Sequence, residues 1–473
     1  MIRLILLLML LVPQVCWGAD KFMHTALLWN TNSNLAQDYC DVVANYDIVW
    51  TTRLNAKTNA GDWCGSYWPC VWDYLHNKNP DLKVFVYITP LEVATDHDTY
   101  SVRALNDLGR YQNARGHSMG YIDQHPGFYL YDENGTRLTR TDAEPNWLQL
   151  DGGNSTFRTY LKEVLVTDII EQETYKYKSN GICFDNCGMV YTGKRRYSVK
   201  YSTEDLWGDM MISFMSEMAS FLHNKGQLLW TNSGTPRTEN GYNNWMKWAQ
   251  AENINYPDYI LEEGGVCAYY GPWDIQFYSG ADWKRSIDAQ FALAQKTGVV
   301  ISNPLGSYWI DNTTGSDNFG DSVTRDDIFQ YIFGSWALAR TDNLHLSVYY
   351  TNGTTPYFEF MEAANNGRLN LGKPLAPYYI KQISGVNLYV REFSEGFVVV
   401  NPTGTNVTTP FKLADLGIKE PCKRVDIADL GKPYPTQPIA TLTLPRHRAL
   451  ILRKTKDSQM IDVGASRIDA ETD

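Results

Sequence analysis

Residues 180–190 read NGICFDNCGMV, and the first half of this segment has the composition of a buried strand. Gly181 to Phe184 form a short apolar run that stops at Asp185 and Asn186. A continuous apolar run is typical of strands in parallel sheets, because helices cover both faces of such sheets. A carboxylate directly after such a strand is either costly or useful, since burying an unpaired charge is unfavourable.

Seven further segments share this pattern of an apolar run that ends in polar residues. They are TALLWN (25–30), DIVWTT (47–52), KVFVYIT (83–89), QLLWTN (227–232), DYILEE (258–263), GVVISNP (298–304) and HLSVYY (345–350). With GICFDN (181–186), they make eight predicted strands.

Helical patterns lie between these strands. Apolar residues recur at helical spacing in residues 157–176, 203–226, 282–298 and 324–340, and Thr203 and Gly226 are suited to begin and end the second helix. Strand and helix alternate over roughly 330 residues, which predicts an α/β fold of the (β/α)₈ TIM-barrel type. The alternative is an open, doubly wound sheet, but no glycine-rich phosphate loop follows the first strand.

Two segments stand apart from the barrel pattern. HPGFYLYDENGTRLTR (125–140) predicts a hairpin that turns at DENG, inserted at the barrel mouth. Residues 387–413 and 440–454 alternate polar and apolar side chains, which predicts a small antiparallel β-sandwich. The predicted organisation is a signal peptide at 1–19, a barrel at 20–375, a β-sandwich at 376–454 and a polar tail at 455–473.

The first residues, MIRLILLLMLLVPQVCWGAD, predict a secretory signal peptide cleaved after Gly18 or Ala19. The alternative is a membrane anchor, but the apolar run from Leu4 to Val12 is shorter than the ~20 residues that a span needs. We therefore expect a secreted or periplasmic protein without a membrane partner after cleavage.

The distribution of charged residues and histidines indicates which partners the protein lacks. The formal net charge is −11, with acids and bases mixed along the chain and no basic stripe, so we expect no nucleic-acid partner. The eight histidines form neither an HxH nor an HExxH pattern, so we expect no metal and no cofactor. The oligomeric state does not follow from the sequence.

Cysteine usage fits an oxidising compartment. Eight cysteines fall to seven when Cys16 leaves with the signal peptide, so at least one thiol is free or pairs with another chain. We predict disulfides between Cys64 and Cys70 and between Cys187 and Cys267.

Functional residues of a (β/α)₈ barrel lie at the C-terminal ends of its strands. Two strand ends carry acids: Asp185 after the fourth strand, and Glu262 with Glu263 at the end of the sixth. The other strand ends carry groups suited to binding hydroxyls, and the candidates there are Trp29, Arg53, Tyr87, Asn186, Trp230, Asn232 and Asn303.

Two carboxyl groups that face one cavity are what glycoside hydrolysis requires, since one protonates the leaving oxygen and the other attacks the sugar or activates water. We assign Asp185 as nucleophile. Side chains alternate along a strand, so only one of Glu262 and Glu263 points inward. Distance from the strand start puts Glu263 level with Asp185 and favours it as acid/base, with Glu262 as the alternative. A helix cap or an ion pair with arginine is the structural alternative for Asp185.

Aromatic residues cluster in the segments that follow the sixth and seventh strands. Tyr270 lies in CAYYGPW and Trp309 follows the seventh strand. Flat rings with polar tips suit the apolar face and the hydroxyls of a sugar. We therefore expect Tyr270 and Trp309 to bind an oligo- or polysaccharide substrate.

A series of motifs resembles a known family. WLQLDGGNSTFRTYLKEVLVTDI (147–169), SNGICFDN (179–186), YILEEGG (259–265), GKPLAPYY (372–379) and VREFSEGFVVVNPT (390–403) occur in that order. The series resembles glycoside hydrolase-like family 15, which is related to the polygalactosaminidases, over residues 120–455.

The resemblance implies a (β/α)₈ barrel with a small C-terminal β-sandwich. It implies that Asp185 matches the family's acid after strand four, that Glu263 or Glu262 matches its acid after strand six, and that Asp151 matches an acid that lies at the barrel mouth or caps a helix. The chain departs in having Asn180 where the family usually has Asp, and in the cysteines that flank Asp185. The substrate does not transfer, because the family's activity is poorly defined.

Our hypothesis is a secreted glycoside hydrolase that retains the anomeric configuration. Retention requires carboxyl groups at about 5–5.5 Å, whereas about 6.5–9.5 Å would favour inversion. The alternatives are a barrel that binds carbohydrate without catalysis and a hydrolase of a non-sugar polymer.

Overall fold

The computed structural model describes residues 23–29, 40–41, 43–51, 68–94, 122–139, 147–166, 170–171, 179–190, 198–268, 274–306, 308–350, 367–429 and 441–455. The predicted signal peptide lies outside these residues. Within them, no helix has both the length and the apolar character of a membrane span.

Fourteen strands precede the C-terminal sheets in the described part of the chain. They are β1 (His24–Trp29), β2 (Ile48–Thr51), β3 (Lys83–Ile88), β4 (Glu92–Ala94), β5 (Trp147–Gln149), β6 (Gly181–Phe184), β7 (Leu228–Asn232), β8 (Tyr259–Glu263), β9 (Cys267–Ala268), β10 (Gln276–Phe277), β11 (Gly298–Leu305), β12 (Thr314–Ser316), β13 (Ser322–Thr324) and β14 (Leu344–Tyr350). Eight of them close a parallel barrel in the order β1, β14, β11, β8, β7, β6, β3, β2. These eight are the predicted strands, so the predicted fold class is confirmed.

Helices follow the barrel strands along the chain, and the longer ones pack against the outside of the barrel. They are α1 (Trp68–Lys78), α2 (Ser155–Val164), α3 (Glu204–His223), α4 (Glu239–Gln250), α5 (Gly280–Leu293), α6 (Tyr308–Asp311) and α7 (Arg325–Ala339). Thr203 caps α3 as predicted, because its side chain accepts a hydrogen bond from the amide of Leu206. A capping box of Thr324 and Asp327 begins α7.

The strands are buried on both faces, which explains their continuous apolar runs. The inner face packs a core of Ala26, Ile48, Phe85, Tyr87, Cys183, Trp230, Leu261 and Val300. Alternate residues such as Val84, Ile182 and Ile260 face the helices. A polar side chain at a strand end therefore points either into the mouth or into the layer between strand and helix.

The insertion after β3 contains the predicted hairpin. Tyr131 and Arg137 form an antiparallel bridge, and Gly135 adopts the left-handed φ of 73° in the turn between them. Next to the hairpin, β4 pairs with β5 and Glu92 lies opposite Gln149. This two-stranded ribbon begins just after the C-terminal end of β3.

The C-terminal part forms two antiparallel sheets, as predicted. Its strands are β15 (Tyr379–Ile383), β16 (Val386–Phe393), β17 (Gly396–Asn401), β18 (Val407–Phe411), β19 (Cys422–Val425), β20 (Leu442–Leu444) and β21 (Arg448–Lys454). Five strands, in the order β15, β16, β17, β21, β19, pack one face on the pair β18 and β20 through a separate apolar core.

The other face of the five-stranded sheet packs on α7. Val398, Val400 and Ala449 join the main apolar core of the barrel. The buried guanidinium of Arg391 donates to the carbonyl oxygens of Ala337, Leu338 and Arg340 at the end of α7. The carbonyl oxygen of Ala337 also accepts from the backbone amide of Arg340, and Arg391 completes the cap of α7 from the sheet.

The predicted disulfide between Cys187 and Cys267 is wrong, since both residues are buried and no disulfide joins them. Cys187 turns its sulfur to the carbonyl oxygen of Asp185, at 3.5 Å, whereas Cys267 interacts with Tyr331 of α7. Burial raises the pKa of Cys267, which keeps its thiol protonated. Cys64 and the side chain of Cys70 lie outside the described part of the chain.

We predict that Gly334→Ala lowers stability, although alanine is the better helix former. A Cβ atom at Gly334 would lie 2.5 Å from the Cβ atom of Ala449, so α7 and β21 would have to separate. The expected loss is about 1–2 kcal/mol of unfolding free energy, measured by denaturant unfolding. Ala449→Gly in the same chain should recover part of it; a single variant as stable as the wild type would contradict the prediction.

Candidate active site

The carboxylate of Asp185 stands at the end of β6, where it is partly exposed. The hydroxyl of Tyr87 donates to its Oδ2, and the side-chain amide of Asn232 donates to its Oδ1 at 2.7 Å. An ionised carboxylate only accepts hydrogen bonds, so donors on both oxygens suit its charge and fix its orientation. Three neighbouring strands, β3, β6 and β7, thus build this part of the site.

The same nitrogen of Asn232 also reaches the second acid. Asn232 Nδ2 donates to Oε2 of Glu263 at 2.9 Å. An amide nitrogen carries two hydrogens, so it can serve both carboxylates. Because bonds of 2.7 Å and 2.9 Å share one atom, the two acceptor oxygens of Asp185 and Glu263 lie at most about 5.6 Å apart.

Glu262 and Glu263 point to opposite sides of β8. Glu263 is partly exposed and faces the mouth, level with Ser302 of β11. Glu262 is 0% exposed and accepts hydrogen bonds from Gln290 of α5 and from Thr235. The structure therefore places Glu263, and not Glu262, opposite Asp185.

Burial raises the pKa of Glu262 to about 7, and the positive charge of Arg237 opposes this shift. A carboxyl group without contact with solvent is protonated more easily, because the apolar surroundings disfavour its charged form.

Asn186 stays at the edge of the site. Its backbone has a left-handed φ of 57°, and its side chain donates to the buried carboxylate of Glu92 at 2.8 Å. The sequence did not single out Glu92, because β4 is a three-residue strand in the insertion without a distinctive pattern. Glu92 ties the insertion to the turn that follows Asp185.

Two predicted binding residues are internal, which corrects their assignment. Trp230 lies inside the barrel, with its ring against Phe85 at 5.5 Å and Trp50 at 6.1 Å. Asn303 is fully buried and accepts a hydrogen bond from the amide of Val266 at 2.9 Å. Trp230 and Asn303 therefore stabilise the barrel mouth from inside, because neither side chain is accessible to a substrate.

Asp151 and Trp309 are also structural. The buried carboxylate of Asp151 accepts from Tyr201 and pairs with Lys200 at 2.6 Å, and Asn154 rather than Asp151 caps α2. The buried ring of Trp309 donates to the carbonyl of Asp274 at 2.8 Å.

Tyr308, which precedes Trp309 in α6, is exposed, with 40% of its surface accessible. Arg53, Tyr270 and the side chain of Trp29 lie outside the described residues, so their predicted roles stay predictions. In the ranges that the structure describes, no group of three or more His, Cys, Asp or Glu side chains could hold a metal ion.

We predict that Glu262→Gln changes the pH dependence of stability. In the wild type the pKa of Glu262 rises from 4.5 unfolded to about 7 folded, so the folded state holds more protons between these values. Its stabilising effect is complete below pH 4.5 and is lost as the pH rises to about 7, by about 3 kcal/mol in all. The glutamine variant should not lose this stability as the pH rises. Denaturant unfolding between pH 4.5 and about 7 would measure the difference.

Glu252→Gln, at an exposed glutamate, is the matched control and should keep the wild-type slope. Parallel stability curves for Glu262→Gln and the wild type would contradict the prediction.

Comparison with solved structures finds proteins of low similarity. The glycoside hydrolase domain of PelA from Pseudomonas aeruginosa is 12% identical, over 61% of this chain and 87% of that one, with a TM-score of 0.37. Eubacterium rectale Amy13B is 9% identical, over 93% and 96%, with a TM-score of 0.47. A GH27 β-L-arabinopyranosidase from Geobacillus stearothermophilus, in complex with arabinose, is 10% identical, over 92% and 97%, with a TM-score of 0.46. None of the curated proteins compared with the sequence matches it.

Comparison with protein families matches residues 76–397 to hypothetical glycosyl hydrolase family 15. The match spans about two thirds of the 473 residues and includes Asp185, Asn232 and Glu263. It confirms the resemblance found in the sequence motifs and the enzyme class predicted with it. The chain belongs to hypothetical glycosyl hydrolase family 15 and is, by that membership, a glycoside hydrolase.

Proposed function

We propose that this protein hydrolyses glycosidic bonds of an oligo- or polysaccharide with retention of the anomeric configuration. Asp185 is the nucleophile and Glu263 is the acid/base. The observation that carries the proposal is the shared hydrogen-bond donor Asn232, whose two bonds keep one oxygen of Asp185 within about 5.6 Å of one oxygen of Glu263, which supports the spacing of about 5–5.5 Å of retaining enzymes. An inverting enzyme needs about 6.5–9.5 Å between its carboxyl groups to admit a water molecule.

In the first step an oxygen of Asp185 attacks the anomeric carbon while the glycosidic C–O bond breaks. Glu263, in its acid form, gives its proton to the leaving oxygen, so the aglycon departs as a neutral alcohol. Tyr87 and Asn232 hold the attacking carboxylate in line during this step. The product is a glycosyl ester of Asp185.

In the second step Glu263, now ionised, takes a proton from water, and the water oxygen attacks the anomeric carbon. The ester bond to Asp185 breaks, and both acids return to their starting forms. Two displacements at one carbon restore the original configuration. Asn232 contacts both acids, so it can orient each of them at the step where that acid acts.

We predict that Asp185→Asn and Glu263→Gln each lower kcat/KM by at least about 100-fold, because each removes a group that reacts with the substrate. The measurement is a screen of aryl glycosides and polysaccharides, followed by kinetics on the best substrate. Glu252→Gln, at an exposed glutamate, should keep wild-type rates.

Wild-type turnover in both variants would contradict the assignment of Asp185 as nucleophile and of Glu263 as acid/base. Glycan binding without turnover, unchanged by Asp185→Asn, would instead support a carbohydrate-binding barrel without catalysis.

The spacing of the acids also predicts the first product. Proton NMR recorded in the first minutes of hydrolysis, before the product equilibrates, should show the anomer of the substrate. Release of the opposite anomer would contradict retention and would require a water molecule between Asp185 and Glu263.

A further inference from the structure

Asn232 is held by the segment that follows β7, residues 233–237. The backbone amide of Gly234 donates to Oδ1 of Asn232 at 3.2 Å, so the amide's oxygen is fixed and its nitrogen must point to the acids. Gly234 has a left-handed φ of 76°, which few other residues adopt without strain. The position of this segment therefore determines where the Asn232 nitrogen lies.

The segment is anchored behind the barrel wall by Glu262. The hydroxyl of Thr235 donates to Oε1 of Glu262 at 3.3 Å and accepts a bond from Arg237 Nε at 2.6 Å. On the other side, Gln290 donates to Oε2, and Ser286 bonds the same carboxyl group. Glu262 thus joins the segment to α5.

Arg237 closes this network toward the mouth. A Cβ atom at Gly264 would lie 2.9 Å from Arg237 Nη2, so the guanidinium passes beside the residue that follows Glu263. The ring of Tyr278 packs on the guanidinium at 3.7 Å. In the described part of the chain, the charged group that acts on Glu262 is therefore Arg237, from the segment; α5 contributes the neutral Ser286 and Gln290, and Glu263 points to the other side of β8.

A fully buried carboxyl group would normally reduce stability, and an apolar side chain would fill the space at less cost. Glu262 here accepts one hydrogen bond on each carboxyl oxygen, from Thr235 and from Gln290, and these two donors hold the group in one orientation. That geometry ends at Asn232, the residue that contacts both acids.

We infer that Glu262 is a positioning residue: its carboxyl group holds residues 233–237 in place and thereby keeps Asn232 between Asp185 and Glu263. The inference rests on the proposed function for its effect on catalysis, but the placement of Asn232 can be observed without a substrate. Glu262 itself touches no reacting atom. Loss of its charge changes its attraction for Arg237, so the position of Asn232 should respond when Glu262 titrates.

The first test is NMR of the full chain with ¹⁵N-labelled asparagine. The side-chain signal of Asn232, assigned by its loss in Asn232→Ala, should shift between pH 6 and 8 in the wild type. The shift should be absent in Glu262→Gln and reduced in Thr235→Val, and Thr235→Ser, which keeps the hydroxyl, should restore it. Glu252→Gln should behave as the wild type.

The second test is kinetics on the aryl glycoside that the wild type hydrolyses fastest. Glu262→Gln and Thr235→Val should lower kcat about tenfold with little change in KM, because the acids are misplaced while substrate contacts remain. Thr235→Ser should recover most of the rate. Thr235→Val keeps the test decisive if Glu262→Gln does not fold.

Variants that lose thermal stability but keep the wild-type Asn232 signal and kcat per folded enzyme would overturn the inference and leave Glu262 a structural residue. A pH-dependent Asn232 signal together with full activity of Asp185→Asn would instead support the placement and reject the proposed catalytic acids.

Discussion

The hydrogen bonds from the side-chain amide of Asn232 to Asp185 and Glu263 are the interaction on which the site depends. A neutral donor that is shared by the two acids fixes the positions of both groups. The bridge also limits the separation of the two acids, and it is this separation that differs between retaining and inverting glycosidases. Residues around Asn232, from Tyr87 to the segment at 233–237, limit the movement of the three groups.

Alternation along β8 gives two adjacent glutamates opposite environments. Glu263 shares the mouth with Asp185, whereas Glu262 lies between barrel and helix, where burial raises its pKa to about 7. Successive side chains of a strand point to opposite faces, so Glu263 reaches the mouth whereas the adjacent Glu262 does not. The same rule accounts for Cys183, which packs in the barrel interior below Asp185.

Polar residues at strand ends predict where the mouth of the barrel lies, but they do not predict which side chains are accessible to a substrate. Asn303 and Asp151 stand near strand ends, yet each satisfies backbone or side-chain groups of the surrounding loops. Buried polar groups must be paired, and loops carry many unpaired backbone groups, so a barrel mouth uses amides and carboxylates for its own support as well. Composition does not distinguish a side chain that binds substrate from one that supports the mouth. The sequence therefore predicts substrate contacts for Trp230 and Trp309, which are buried in the structure.

The sequence alone determined the barrel, because eight apolar runs that alternate with helical segments allow few other arrangements, and continuous apolar runs indicate strands buried on both faces. It also determined which acids stand at strand ends, and the alternation of side chains favoured Glu263. Only the tertiary structure decided that Asn232 joins the two acids, that Glu92 reaches Asn186, and that no disulfide joins Cys187 and Cys267. These contacts join residues between 31 and 94 positions apart in the chain, and their distances depend on strand tilt and loop packing, which no local pattern records.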